Sequence, residues 1–184
     1  MKELSLNVLD ITENSVKAGA TLVEIEISES ADTLTITITD DGHGMSAETL
    51  RSVTDPFYTT RTTRRVGMGI PLLMLAAQQT GGEVRITSRH ADDFPEDHGT
   101  RVVARFYKNH IDFTPLGDVT ETVVTLIQGH PTVDFLFRHV RDGGEVALDT
   151  RELRAVLEDV PLDNFEVLTW IRENLREQYN TVDS

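Results

Sequence analysis

The chain has no cysteine and few basic residues. Its 184 residues include 17 Lys and Arg against 31 Asp and Glu, which gives a formal net charge of −14. Without a thiol there is no disulfide framework, no thiolate metal site and no cysteine nucleophile, a composition that fits a reducing compartment. Such an acidic chain lacks the general positive charge that binds nucleic acid or an anionic membrane surface. We therefore expect neither nucleic acid nor a membrane among its partners.

Long apolar runs are also missing. No stretch approaches the roughly 20 apolar residues of a transmembrane helix, and no signal-peptide hydrophobic region follows Met1. These absences predict a cytoplasmic protein. The length allows one well-formed core, or one domain with a small appendage.

Hydrophobic periodicity predicts an α+β arrangement. A helix covers the first 20 residues, and apolar residues then alternate with polar ones over 23–27 and 34–38, as in half-buried strands. Further along, the pattern predicts helices over 47–53 and 69–80, strands over 84–86 and 102–106, and loops over 54–66 and 91–99.

The rest of the chain changes character and contains no chemical motif. It predicts a helix over 118–127, a hairpin with strands over 133–140 and 145–148, and an amphipathic helix over 163–179. We therefore predict two domains, a first one over residues 1–108 and a small α/β C-terminal appendage of unknown role over residues 109–184.

One face of the first helix carries a polar stripe. At about 100° per residue, Asn7, Asp10, Asn14 and Lys17 fall within roughly 80° of one another, and the apolar residues of the helix face away. A carboxylate, amides and an ammonium in one line suit a hydrated cation and a phosphate chain. The alternative is a solvated polar face.

Two glycine-containing segments follow. Residues 40–44, Asp-Asp-Gly-His-Gly, come after a strand and before a helix, and residues 67–69, Gly-Met-Gly, open a helix whose first N–H groups can bind phosphate oxygens. Between the two segments lie Arg61, Arg64 and Arg65. Three like charges usually indicate a solvated loop, but in this context we favour contact with phosphates.

These segments, in this order, resemble the GHKL superfamily of DNA gyrase ATPase subunits, heat-shock chaperone ATPases, sensor histidine kinases and MutL proteins. The resemblance extends over about residues 4–106, a little more than half of the chain. It implies a two-layer α/β sandwich of the GHKL (Bergerat) type, with ATP and Mg²⁺ as cofactors.

Residues 10–21 resemble the N-box of this superfamily. There the asparagine coordinates the magnesium bound to the triphosphate, a role that the resemblance gives to Asn14, with Lys17 on the same stripe. In hydrolytic relatives a glutamate one turn earlier orients or deprotonates the attacking water. The matching residue is Asp10, one methylene shorter, which becomes the catalytic candidate. Glu13 ranks second because it points about 100° away from Asn14.

Residues 40–44 resemble the D-x-G-x-G box. The resemblance implies that Asp40, and not Asp41, accepts a hydrogen bond from the adenine amino group. Gly42 and Gly44 would let the backbone approach the base and ribose, and Met45 would pack on the purine face.

Residues 55–61 resemble the segment that opens the ATP lid of histidine kinases. In the second glycine box an arginine, Arg65, stands where relatives have the first glycine, and it is a candidate for the γ-phosphate. The resemblance gives further nucleotide contacts to Thr60, Arg61, Arg64, Gly67, Met68, Gly69 and Thr100.

The function that this resemblance implies is regulatory or signalling. We expect a protein that binds Mg-ATP or ADP, similar to the ATP domain of histidine kinases and to the anti-sigma serine kinases, and that phosphorylates a separate partner protein. Two alternatives stay open: a nucleotide-gated protein-binding module without chemistry, and a slow ATPase of the gyrase and MutL kind. A homodimer is compatible with each.

Overall fold

The computed structural model describes residues 3–54 and 69–184, in which six strands form one mixed sheet. The helices are α1 (Leu4–Lys17), α2 (Ala47–Thr54), α3 (Gly69–Gln79), α4 (Val119–Gly129), α5 (Thr150–Leu157) and α6 (Phe165–Asp183). The strands are β1 (Leu22–Glu29), β2 (Thr33–Asp40), β3 (Glu83–Arg89), β4 (Gly99–Tyr107), β5 (Asp134–Arg141) and β6 (Gly144–Asp149). No helix in the described ranges is long and apolar enough to cross a membrane.

One face of the sheet is buried and the other faces solvent. In β1, Val23, Ile25 and Ile27 are buried, whereas Glu24 and Glu26 between them are exposed. The same alternation occurs in β2, β4, β5 and β6, and α1, α3, α4 and α6 contribute buried residues to the same core. Period-two burial is what a sheet with one covered face requires. The predicted two-layer α/β sandwich is confirmed.

The strand order is β3-β4-β2-β1-β5-β6. β1 and β5 are parallel, with Ile25 opposite Phe137, and all other pairs are antiparallel. The sheet and its core therefore continue across the boundary that we expected near residue 108. The division into two domains stays a prediction, and the strands of residues 109–184 extend the same sheet.

Two details of the helices differ from the sequence analysis. Helix α5 was not predicted, and it begins after Asp149, whose side chain accepts a hydrogen bond from the N–H of Arg151. The predicted polar stripe on α1 is wrong at Asn7, which is buried, as are Ser5, Thr12 and Ser15. α4 packs against this helix, where Thr122 donates to the carbonyl oxygen of Ser5, and Ser15 donates to Asp40 of β2. Among the described residues, neither Oδ1 of Asn7 nor Oγ1 of Thr12 has a hydrogen-bond partner.

Candidate functional site

A cavity of about 300 Å³ lies between α1, the loop after β2, the start of α3 and β4. Most of its surface is apolar, and a few polar side chains enter it. The lining residues are Ile11, Asn14, Ser15, Lys17, Ala18, Asp40, His43, Gly44, Met45, Val53, Ile70, Thr100 and Val102. An apolar cavity with a few convergent polar groups is typical of a small-molecule site.

Asp40 ends β2 and points its carboxylate into the cavity wall. The hydroxyl of Ser15 donates to its Oδ2 at 2.6 Å, and the N–H of Gly42 donates to its Oδ1 at 2.8 Å. These two bonds hold the carboxylate in one orientation. Because each oxygen has two acceptor positions, both still have one for a ligand donor.

The neighbouring Asp41 serves the fold instead. It accepts hydrogen bonds from the N–H and hydroxyl of Thr21 and from the N–H of Leu22. Partial burial raises the pKa of Asp41, but these hydrogen bonds outweigh it and hold the pKa below its usual value. Asp40 therefore lines the cavity, and Asp41 fixes the start of β1.

The two glycines of the box are needed for contacts within the protein. A Cβ on Gly42 would lie 2.9 Å from both the Cβ and the carbonyl oxygen of Ala18, at the end of α1. Gly44 has φ +73°, and a Cβ there would lie 2.0 Å from the carbonyl oxygen of Arg89. We expected these glycines to admit a base and ribose. The structure shows that they let α1 and β3 approach the loop that carries Asp40, and their contact with a nucleotide stays a prediction.

Asn14 and Asp10 lie beside the first residue of α3. A Cβ on Gly69 would be 3.2 Å from the Cβ of Asp10 and 3.8 Å from Nδ2 of Asn14. Asn14 lines the cavity, whereas Asp10, one turn earlier, lies next to Gly69 and is not among the lining residues described above. The N-terminus of α3 thus adjoins both side chains.

Glu13 is engaged elsewhere. Its two carboxylate oxygens lie 3.0 and 2.9 Å from Nε2 of His130, the residue that caps the C-terminus of α4. This pair joins α1 to α4, and neither residue belongs to the cavity lining given above. The geometry therefore favours Asp10 over Glu13 as the carboxylate nearest to Asn14 and Gly69.

Polar contacts order the opposite wall. The N–H of Met45 donates to Oγ of Ser88 at 2.7 Å, and that hydroxyl lies 2.8 Å from Oγ1 of Thr100. Met45 and Thr100 therefore belong to one hydrogen-bonded unit that links the loop after β2 to β3 and β4. Both residues line the cavity, as does Lys17, which is exposed at its edge.

Sequence reasoning missed several residues of this site. Ser15 orients Asp40, and its signal was its position one residue after Asn14 on the same helix. His43 lines the cavity, with Nδ1 2.8 Å from the carbonyl oxygen of Gly44. His98 holds the loop by a hydrogen bond to the carbonyl oxygen of Gly42. No local pattern indicated this last contact, because it joins residues 56 positions apart.

Several predicted contacts lie outside the described residues. These are Thr60, Arg61, Arg64, Arg65, Gly67 and Met68. Within residues 3–54 and 69–184, no group of three or more His, Asp or Glu side chains is arranged to hold a metal ion alone.

The comparison with known families agrees with this geometry. The family described as "Histidine kinase-, DNA gyrase B-, and HSP90-like ATPase" matches residues 2–110, which is more than half of the chain. The chain belongs to this family. The match includes α1, the box around Asp40, the start of α3, and Thr100.

Curated relatives are sensor and sporulation kinases. The chain is 27% identical to sporulation kinase C of Bacillus subtilis over 88 residues, which are 48% of this chain and 20% of that protein. It is 32% identical to the sensor histidine kinase CpxA of Escherichia coli over 91 residues, 47% of this chain and 19% of that protein. The chain thus matches about a fifth of the length of these kinases.

Solved structures share the fold over a longer stretch. The Aquifex aeolicus MutL ATPase domain complexed with ADP is similar with a TM-score of 0.56 and 17% identity, over 86% of this chain and 70% of that chain. The N-terminal domain of a DNA repair protein is similar with a TM-score of 0.51 and 14% identity, over 81% of this chain and 53% of that one. The similarity in fold thus covers a larger share of this chain than the family match does.

Proposed function

We propose that the chain binds Mg-ATP in the cavity between α1 and the loop after β2. The observation that carries the proposal is the oriented carboxylate of Asp40 on a mostly apolar wall. An adenine amino group can donate to this carboxylate, whereas the carbonyl oxygen of guanine at that position would face it as a second acceptor. The cavity volume is at the lower end of the range of about 300–1,000 Å³ for ligand sites.

Magnesium fits the residues present. Mg²⁺ keeps several waters and is usually held by one or two protein oxygens together with substrate phosphates. Asn14 would supply a protein oxygen, and the phosphates the other charged ligands. When bound, the ion neutralises phosphate charge. Gly69, at the N-terminus of α3, and Lys17 are our candidates for phosphate contacts, together with Thr60, Arg61, Arg64, Arg65, Gly67 and Met68 from the sequence analysis.

For chemistry, we assign the role of general base to Asp10. Its carboxylate would accept a proton from a nucleophilic hydroxyl, which belongs either to water or to a partner protein. Its place beside Asn14 and Gly69 supports this role, as does the pairing of the rival Glu13 with His130.

The family membership and the kinase relatives support a regulatory or signalling role. We propose a cytoplasmic protein that transfers phosphate to a separate protein partner. A homodimer is compatible with this proposal.

Binding is tested by calorimetry of ATP with and without magnesium. We expect Asn14→Ala to abolish most of the affinity that magnesium adds, while the affinity for adenosine stays close to that of the parent. Asn174→Ala, which removes the same side chain from α6 and leaves the cavity intact, is the matched control. An Asn14→Ala protein that keeps the parental magnesium dependence would show that the cation lies elsewhere.

Chemistry is tested by following free phosphate and phosphoprotein. Asp10→Asn should remove turnover or transfer and leave ATP affinity nearly unchanged, because the amide keeps the shape and loses the base. Glu13→Gln should keep most of the activity. If Glu13→Gln were inactive and Asp10→Asn active, the general base would be Glu13. If the parent protein binds ATP but produces neither product, the nucleotide-gated binding module replaces the kinase in the proposal.

A further inference from the structure

A second, larger cavity of about 670 Å³ lies far from Asp40 along the sheet. We call it the distal cavity. It opens where the parallel strands β1 and β5 end, beside the start of α4 and the last turns of α6. Its polar lining includes Glu29, Thr120, His139, Arg141, Arg176 and Tyr179. The crevice outside the carboxyl ends of parallel strands is a common place for ligands in open α/β sheets.

The interior of the distal cavity is anchored by a closed hydrogen-bond network. His139 is buried, with Nε2 2.6 Å from Oε1 of Glu29 and Nδ1 2.7 Å from the hydroxyl of Tyr179. A carboxylate only accepts, so Nε2 donates to Glu29, and in a neutral imidazole Nδ1 accepts from Tyr179. Lys108 donates to the other oxygen of Glu29 at 3.0 Å. This network holds the walls in place and gives each of these four side chains a partner.

Thr120, by contrast, has unused donors. It is the second residue of α4, it lines the distal cavity, and only 5% of its surface is exposed. In the part of the chain that the structure describes, neither its hydroxyl nor its N–H has a hydrogen-bond partner. The capping carboxylate of Asp118 accepts from Glu121 instead. Oγ1 of Thr120 is not among the described buried atoms that lack a partner, so the hydroxyl opens to the cavity and can donate there to water or to a ligand.

Two guanidinium groups border the same space. Arg141 donates through Nη1 to Asp183 at 2.7 Å, and Arg176 donates through Nη2 to Glu121 at 3.0 Å. Each guanidinium has five N–H donors, so both have donors left for a ligand. The two carboxylates that line the distal cavity already act as acceptors, Glu29 from His139 and Lys108, and Asp118 from Glu121.

We propose that the distal cavity is a binding site for the phosphate group of a small molecule. The phosphate oxygens would accept from the hydroxyl and N–H of Thr120 at the positive end of α4, and from the free N–H groups of Arg141 and Arg176. The unused donors come from α4, β5 and α6, and the oxygens of a single phosphate group are enough to accept from all three. This site is separate from the nucleotide site.

The test is a titration of the full chain with inorganic phosphate, read by NMR on the backbone amide of residue 120. We expect a saturable shift of that amide. Thr120→Val, which removes the hydroxyl at nearly constant volume, should weaken binding about tenfold, the effect of one lost hydrogen bond to an anion. Thr120→Ser should restore it. Thr122→Val is the matched control, because the hydroxyl of Thr122 already donates to the carbonyl oxygen of Ser5 at 3.2 Å.

The Asn14→Ala variant distinguishes phosphate bound in the distal cavity from phosphate bound at the nucleotide site. If phosphate binds in the distal cavity, this variant should leave the titration of residue 120 unchanged. No saturable shift at residue 120 in the folded parent would overturn the proposal. Equal phosphate affinities of the parent, Thr120→Val and Thr120→Ser proteins would overturn it as well, and so would loss of the shift in Asn14→Ala. A Thr120→Val chain that fails to fold leaves the decision to the parent titration and to Thr120→Ser.

Discussion

Glu29→Gln tests how far residues 109–184 stabilise the sheet. Glu29 lies at the end of β1 and binds His139 of β5, and its side chain is only 16% exposed. The hydrogen bond from His139 lowers the pKa of Glu29 from 4.5 to about 2, against the opposing effect of burial and with help from Lys108. A lowering of this size corresponds to about 3 kcal/mol of stabilisation of the folded state.

The lowered pKa of Glu29 determines whether its contribution to stability grows or shrinks with pH. The folded state favours the ionised carboxylate, so the stabilisation is complete above pH 4.5 and is lost as the pH falls toward 2. We expect Glu29→Gln to lower the free energy of unfolding by about 3 kcal/mol at pH 7, and the gap to the parent to narrow through this range. Urea denaturation at several pH values measures both effects.

Glu26→Gln is the control for this experiment. Glu26 lies on the same strand but on the solvent face, where it pairs with Arg138 at 3.4 Å and its side chain is 48% exposed. A pair of this kind contributes about 0–1 kcal/mol. If Glu29→Gln and Glu26→Gln lowered stability equally, or if the gap between Glu29→Gln and the parent did not change with pH, the reasoning on the Glu29 network would be refuted.

Two further predictions concern stability. Thr12→Val removes a buried hydroxyl that has no partner in residues 3–54 and 69–184, and it should leave the protein equally stable or up to about 1 kcal/mol more stable, whereas Thr122→Val should cost about 1 kcal/mol. Urea denaturation that ranks them the other way contradicts this. Gly44→Ala should cost at least about 2 kcal/mol because of its positive φ and the clash with Arg89. Gly129→Ala, whose Cβ meets nothing within 4 Å, should be tolerated, and equal thermal stability of the two would contradict the argument.

The elements with strong local patterns could be predicted from the sequence. Alternation at Val23, Ile25 and Ile27 predicts β1 and its buried face, because side chains in a strand alternate between the two faces. Ser46 accepts from the N–H of Thr49, as expected of the residue that begins α2. The short helix α5 has a capping signal in Asp149, but eight residues give too little periodicity to separate it from a turn.

What the sequence could not predict depends on contacts between distant residues. Alternation in β5 indicates which side chains are buried and says nothing about the neighbouring strand, so the parallel pairing with β1 was missed. The network of Glu29, His139 and Tyr179 could not be predicted either, because its side chains come from three separate elements, β1, β5 and α6. The candidate site was easier to predict from the sequence, because Asp40, Gly42 and Gly44 lie in one short motif. The sequence does not show why glycine is needed at positions 42 and 44, because the need comes from the close approach of Ala18 and Arg89 in the folded chain.

The most direct test of adenine-nucleotide binding is calorimetry of ATP and GTP with three proteins in magnesium. The parent should bind ATP with micromolar to millimolar affinity and prefer it clearly to GTP. Asp40→Asn should weaken ATP binding about tenfold or more, since an amide mispairs with the adenine amino group. Asp93→Asn, an exposed aspartate on the loop after β3, should match the parent. Equal affinities of the parent for ATP and GTP, or an Asp40→Asn protein that binds ATP like the parent, would contradict the assignment of the site.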